Sequence, residues 1–525
     1  MRRLLVVLIA LTVVSTACGD NASPLSATTT TRAATTTTAG EANEYPQEIV
    51  DAYMEGCTGE DSYGFCLCTI EEIQERMDLA EFLEWSETFS DSDPVAVDII
   101  TTCGGTPPGP DPDPDPDPGP LTIDQLISLS IVDLEEFWSA EMPAVWGIDY
   151  QPVAAFGPYY VSRGDVPECG GPLGPESYSQ NAFYCSVDDT VQWDIEDLIL
   201  PLYEEYGDFT VALVMAHEWG HAIQARFGFS DEHPTIVQEL QADCLAGAWT
   251  FYVDSGQSQN LILEPGDLEE AMAGFLLIGD GLGTAPDGPN AHGGSFDRLT
   301  AFFDGFNNGV AACDTYQETY PPVVFIELDP AYSGNLPYDT AATVLIDALE
   351  GFWAIVFPDA FGMEWIPMSG AYEYYPSSGD VPSCGGFFED PEFYPGNAFY
   401  CEDEDFAAWD GEGLFPYLYD EIGDFAMALV LADLWGRAVL ARLEYPVFGP
   451  EAQLQVDCMA GAWTAALTFE DNPMQLWLSA GDLEEGIAGF LLLSAVPGSE
   501  GAVSAFQRFE AFKGGVFDGI SACGL

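Results

Sequence analysis

Residues 211–227 read Val211-Ala-Leu-Val-Met-Ala-His217-Glu218-Trp219-Gly220-His221-Ala-Ile-Gln-Ala-Arg226-Phe227. The run is apolar and long enough for a helix. In a helix His217 and His221, four apart, project from one face and can hold one metal ion. Glu218 lies one residue round from His217, where its carboxylate can reach a water on that metal. A zinc ion lowers the pKa of such a water and the glutamate takes its proton, which is metal-assisted peptide hydrolysis. The chain has only four histidines, so a chance match to this pattern is rare, on the order of a few per thousand.

A catalytic zinc also needs a third protein ligand and one open position. The next helical pattern, TIVQELQADCLAGAW at residues 235–249, supplies candidates. Gly228 gives the first helix a left-handed stop, and Pro234-Thr235 a cap and restart. Glu239 follows His221 by 18 positions (221 to 239), enough for a turn and a return. Glu239 and Asp243 share a face, so Glu239 can bind the metal while Asp243 hydrogen-bonds a ligand histidine behind it. In so acidic a chain the competing reading of both carboxylates is a solvated face.

Four blocks together resemble the bacterial family of neutral zinc metallopeptidases. They are NAFYCSVDDTVQWD (181–194), GDFTVALVMAHEWGHAIQ (207–224), ELQADCLAGAW (239–249) and HGGSFDRLTAFFDGF (292–306). The resemblance spans about residues 121 to 313. It implies a zincin-like fold, a two-His-one-Glu zinc site and protease-like hydrolysis, and leaves the substrate open. It also suggests a family His-Gly block at His292, as donor to the tetrahedral oxyanion or as a contact behind the ligands. A surface-loop histidine is the alternative there, and His233, beside Pro234 in a turn, is read as bland.

From Leu121 to Leu525 the chain reads as a duplication. EEFWSAEMP (135–143) recurs as EGFWAIVFP (350–358), NAFYCSVDDTVQWD as NAFYCEDEDFAAWD (397–410), and GDLEEAMAGFLL (266–277) as GDLEEGIAGFLL (481–492). Trp219, Gly220, Arg226, Asp243, Cys244, Ala246, Gly247 and Trp249 keep their like in the second copy. His217, Glu218, His221 and Glu239 become Asp433, Leu434, Arg437 and Gln453. What persists is assigned to the fold, with Arg226 pairing a carboxylate and Asp243 drawn toward a structural role, since Asp457 persists. What changed is the inferred ligand set and base. One Zn²⁺ per chain and an inactive second copy follow, with Asp433 and Arg437 paired at helical spacing.

The expected fold class is α+β: two mainly helical zincin-like domains in tandem, 121–325 and 338–525. The AFYC and TVQW pieces straddle an acidic turn and suggest a hairpin. Residues 1–17 read as a signal peptide, too short to span a bilayer. Cys18 resembles a lipoprotein attachment site, with ordinary cleavage and secretion as the alternative. Residues 18–44, rich in Thr, Ala and Ser, read as a flexible tether. Residues 45–103, with four cysteines, read as a small helical disulfide-stapled module. The Asp-Pro run at 104–120 reads as a stiff linker. Of thirteen cysteines, Cys18 is assigned to the anchor and four fall in each copy. The favoured pairings are Cys169–Cys185, Cys244–Cys313, Cys384–Cys401 and Cys458–Cys523, although four cysteines allow three pairings.

A formal charge of −77, with Lys513 the single lysine, argues against nucleic acid or anionic lipid surfaces as partners. A solvated acidic surface accounts for it, with attraction for cationic peptides or Ca²⁺ as the alternative. The expected function is an exported zinc peptidase, held at the membrane through Cys18 and acting on peptide or protein outside the cytoplasm. The alternative is a non-catalytic surface binding protein with a structural zinc.

Overall fold

The computed structural model describes residues 70, 73–74 and 76–77 and, from 121 to 525, all but 165–166, 170–177, 231, 289–290, 328–333 and 495–502. The expectations for the signal peptide, Cys18, the tether, the Asp-Pro linker and nearly all of the 45–103 module lie outside the described residues. Within that module Ile70, Ile73, Gln74 and Arg76 are helical. Thr122–Leu525 fall in one compact unit and Cys18–Leu121 in another.

The larger unit is α+β and mostly helical, and one order of elements occurs in it twice. First come α1 (Ile123–Val145), β1 (Ala155–Tyr159), β2 (Ala182–Cys185), β3 (Thr190–Asp194), α2 (Leu200–Tyr206), α3 (Asp208–Phe227), α4 (Thr235–Asp254), α5 (Asp267–Ile278), α6 (Ser295–Asn308) and the short α7 (Val310–Asp314). Then follow α8 (Tyr338–Phe361), β4 (Gly370–Tyr374), β5 (Ala398–Cys401), β6 (Phe406–Asp410), α9 (Leu414–Glu421), α10 (Asp424–Arg442), α11 (Pro450–Ala466), α12 (Asp482–Leu493) and α13 (Ala505–Asp518). Each sheet has three strands, ordered β1-β3-β2 and β4-β6-β5. β2 and β3 form the hairpin expected from AFYC and TVQW, and β1 joins β3 in parallel. One described helix, α8, is long and apolar enough to cross a membrane. Its Leu345, Leu349, Phe352 and Trp353 are nevertheless buried within the fold.

Helix α3 is buried continuously from Phe209 to Gly220, because an all-round apolar helix has no solvent face to offer. Gly228 ends it in the left-handed conformation, φ 88°. Arg226, near its end, pairs with Asp189 in the β2–β3 turn at 3.0 Å, and Arg442 repeats the bond to Asp405 at 3.1 Å. The neighbouring helices approach at glycines. A Cβ on Gly247 would lie 1.9 Å from Phe302 O, and one on Gly305 would lie 1.7 Å from Cys244 O. α4 and α6 therefore touch backbone to backbone, and Cys244–Cys313 bonds α4 to α7 alongside. Gly247→Ala must push these helices apart and should lower stability by about 1–3 kcal/mol. Denaturant unfolding reads this, and an unchanged midpoint would mean the contact yields freely.

All four disulfides among the described residues have the expected pairing: Cys169–Cys185, Cys244–Cys313, Cys384–Cys401 and Cys458–Cys523.

The two halves meet through α5, α6, α12 and α13, and the contacts are reciprocal. Phe303 stacks on Phe506 at 4.0 Å, and Phe296 meets Phe509 at 5.5 Å. Glu269 accepts from Phe506 N at the start of α13, while Glu484 accepts from Ser295 N at the start of α6. Lys513 lies over the Phe303 ring at 4.8 Å. Asp297, buried here and accepting from Val324 N, is pushed up to about 7 by its burial and by Glu484. A carboxyl raised in the folded state contributes stability that is full below its unfolded pKa, about 4, and is lost as pH rises through 7. The melting temperature should therefore fall between pH 5 and pH 8, and Asp297→Asn should flatten part of that fall. An identical pH profile in the variant would rule Asp297 out as a source.

Candidate metal centre

Three side chains from two helices converge. His217 and His221 face the same way from α3, and Glu239 comes from α4. The separations are 3.1 Å between His217 Nε2 and His221 Nε2, 3.3 Å from His217 Nε2 to Glu239 Oε2, and 3.5 Å from His221 Nε2 to Glu239 Oε2. Tetrahedral ligands about 2.0–2.1 Å from a zinc ion lie about 3.3–3.4 Å from one another. The donor triangle fits that ion without rearrangement. Among the described residues no fourth His, Cys, Asp or Glu joins the group.

The far side of each imidazole is held as well. His217 Nδ1 is 2.7 Å from Asp243 Oδ1, and His221 Nδ1 is 2.9 Å from Gln224 Oε1. Both partners accept, so each Nδ1 carries the proton and each Nε2 turns a lone pair toward the other ligands. Two lone pairs and a carboxylate oxygen facing one another call for positive charge between them. Burial resists charging the imidazoles, yet Asp243 and Glu239 outweigh it at His217, pushing it up to about 10, and Glu239 and Glu218 outweigh it at His221, pushing it upward. Burial also opposes ionisation of Glu239, but the two imidazoles hold it well below the usual carboxylate range. Protons can meet that demand, and a divalent metal at this position would displace them.

Arg298 from α6 anchors the arrangement. It donates to Asp243 Oδ2 at 2.8 Å, to Asp243 Oδ1 at 2.9 Å and to Ile278 O at 2.8 Å. Asp243 is thus held by two guanidinium bonds while it orients His217. The corresponding Asp457 and Arg508 keep the same pair at 2.8 Å, so the pair belongs to the scaffold as well as to the site. Arg298 carries no motif that marks it in the sequence, and only its persistence as Arg508 points to it. Gln224, whose counterpart is Leu440, is a further polar residue lost together with the histidines.

Glu218 is buried on α3 beside this group. One carboxylate oxygen takes the Tyr184 N–H of β2, and burial raises its carboxyl above the ordinary value against the pull of the two imidazoles. Its Oε2 has neither solvent nor a hydrogen-bond partner. A buried, bare carboxylate oxygen beside a cation site is positioned to accept a proton from a molecule that enters there.

His292 lies on the loop before α6. Its side chain is 49% exposed and its Nδ1 is 3.3 Å from Asp280 Oδ1. Among the described residues no hydrogen bond links its ring to His217, His221, Glu239 or Glu218. His233 contacts the Tyr320 hydroxyl at 3.2 Å.

The corresponding place in the second half is filled by its own charges. Arg437 donates to Asp433 Oδ2 at 2.6 Å, to Asp433 Oδ1 at 3.0 Å, to Gln453 Oε1 at 2.6 Å and to Val447 O at 2.7 Å. Gln453 Nε2 returns a bond to Asp433 Oδ1 at 2.8 Å. Burial opposes ionisation of Asp433, but Arg437 beside it keeps the carboxyl below its usual range. Leu434, in the place of Glu218, is buried.

Residues 162–316 match the sequence profile of a family described as "Putative neutral zinc metallopeptidase". The chain is similar to the uncharacterized protein YpfJ of Escherichia coli (strain K12), 34% identical over 158 residues, which covers 26% of this chain and 53% of that protein. It is also similar to the uncharacterized protein Rv2575 of Mycobacterium tuberculosis (strain ATCC 25618 / H37Rv), 30% identical over 174 residues, 28% of this chain and 59% of that protein. The chain thus spans about half the length of the curated relatives it matches. No solved structure matches it.

Proposed function

We propose that residues 121–325 form a zinc peptidase domain in which His217, His221 and Glu239 hold one Zn²⁺ and Glu218 is the general base. The observation that carries this reading is the donor triangle with edges of 3.1–3.5 Å next to a buried, unpartnered Glu218 Oε2. When bound, zinc supplies Lewis acidity, which polarises a peptide carbonyl and acidifies water. Glu218 takes the proton of the attacking water at Oε2 and passes it to the departing amine. Asp243, held by Arg298, and Gln224 fix the Nδ1–H tautomers of the two histidines, so that both Nε2 atoms point inward.

A purely structural zinc site closes with a fourth ligand and has no use for a base. Here the ligand side chains are 11%, 20% and 13% exposed, which leaves an approach for substrate. The experiment is zinc analysis of the purified full-length protein combined with a peptide-library digest, with and without chelator. Zinc-dependent cleavage is expected. A zinc-loaded protein that cleaves nothing would favour the non-catalytic binding protein.

In this reading 338–525 is a second copy of the same unit, inactive and retained for its packing against the first. The protein is exported and anchored at the membrane through Cys18. Four disulfides among the described residues suit an oxidising compartment. The substrate is peptide or protein outside the cytoplasm, and the charge of −77 disfavours nucleic acid.

A further inference from the structure

We propose that Asp424, Asp482 and Glu485 bind a hard divalent cation, calcium, where helices α10 and α12 begin side by side. Asp424 opens α10, Asp482 opens α12, and Glu485 lies one turn further along α12. One carboxylate oxygen from each lies within 4.8 Å of the others. Asp424 and Asp482 are buried, 7% and 6% exposed, and Glu485 is half-buried.

Backbone donors satisfy part of this charge. Glu485 accepts from Phe425 N at 2.9 Å, Asp482 from Ser479 N at 2.8 Å, and Asp424 Oδ2 from Leu336 N at 3.0 Å. Asp424 Oδ1 is left with neither solvent nor a donor. Among the described residues no Arg, Lys or His forms an ion pair with the three. A buried carboxylate oxygen with no donor is unfavourable, and a cation in the cluster removes that cost. Gly423 shapes the place: a Cβ on it would fall 2.0 Å from Glu485 Cδ.

The first half carries the same set, Asp208, Asp267 and Glu270, with Glu270 against Gly207 in the same way. The cluster thus persists between two halves that differ at the centre described above. Its purpose is separate from hydrolysis, and the inference does not rest on the peptidase reading. All donors are oxygens, which selects calcium over zinc; calcium takes six to eight of them, and carbonyls and water complete the shell. Without a cation, protons must hold the charge, and burial already pushes Asp482 up to about 7 and Glu485 up to about 8.

The test is calcium binding by equilibrium dialysis at pH 8 on the zinc-loaded full chain, together with thermal melting with and without calcium. Wild type should bind one calcium more per chain than Asp424→Asn, with a Kd on the order of 10⁻⁴ M. Saturating calcium should raise the wild-type melting temperature by about 3 °C more than that of the variant. Asparagine keeps the acceptor for Leu336 N; should Asp424→Asn fail to fold, Glu485→Gln gives the same comparison. Equal calcium in wild type and variant, or none in wild type, overturns the site and leaves protons as the charge carriers.

Discussion

Glu218→Gln is expected to fold, to retain its zinc and to lose peptidase turnover by a factor on the order of 10³. The amide has the shape of the carboxylate and keeps an oxygen for the Tyr184 N–H that Glu218 accepts. It cannot take a proton at the position of Oε2, the atom without a partner. Stability should change little, because Glu218 is buried with its ionisation opposed by that burial. Zinc should stay, because the donor triangle consists of His217, His221 and Glu239 and does not include Glu218. Steady-state cleavage of a peptide identified by the library digest, with zinc measured on the same sample, separates proton transfer from metal loss. Full activity in a zinc-loaded Glu218→Gln would end the mechanism.

The second large effect is expected in the other half. Asp433→Ala leaves Arg437, whose side chain is 13% exposed, with its charge uncompensated. Gln453 Oε1 and Val447 O remain as acceptors but carry no negative charge. Breaking a buried pair from one side costs about 3–5 kcal/mol. Replacing both members with apolar residues, Asp433→Leu with Arg437→Met, should restore most of that loss, because the pair itself contributes little net stability once its desolvation is counted. Urea unfolding of the single and double variants measures the difference. A single variant as stable as wild type would mean that water reaches Arg437 and that the network is no substitute for a metal.

Much of this is legible in the sequence because the chain carries its own comparison. His217, Glu218, His221 and Glu239 change together while Trp219, Gly220 and Gly247 do not. The glycines proved to be places where backbones touch. The hairpin of β2 and β3 was readable from local alternation across a tight turn. The parallel pairing of β1 with β3 was not, since Ala155 meets Thr190 across a long excursion that leaves no local pattern. Arg298 reaches Asp243 from 55 positions away, and nothing in its immediate sequence marks that bond. The half-exposed setting of the His292 ring beside Asp280 is fixed by the fold and leaves no mark in its immediate sequence. The reciprocal contacts of Glu269 and Glu484 across the two halves were equally silent, because a glutamate in the first turn of a helix reads as an ordinary dipole partner.

Zinc content per chain tests the central claim most directly. Purified full-length protein, exhaustively dialysed against metal-free buffer and measured by elemental analysis, should hold one tightly bound zinc, and His217→Ala alone should hold none. Two zinc ions per chain, or zinc retained at full occupancy in His217→Ala, would contradict it.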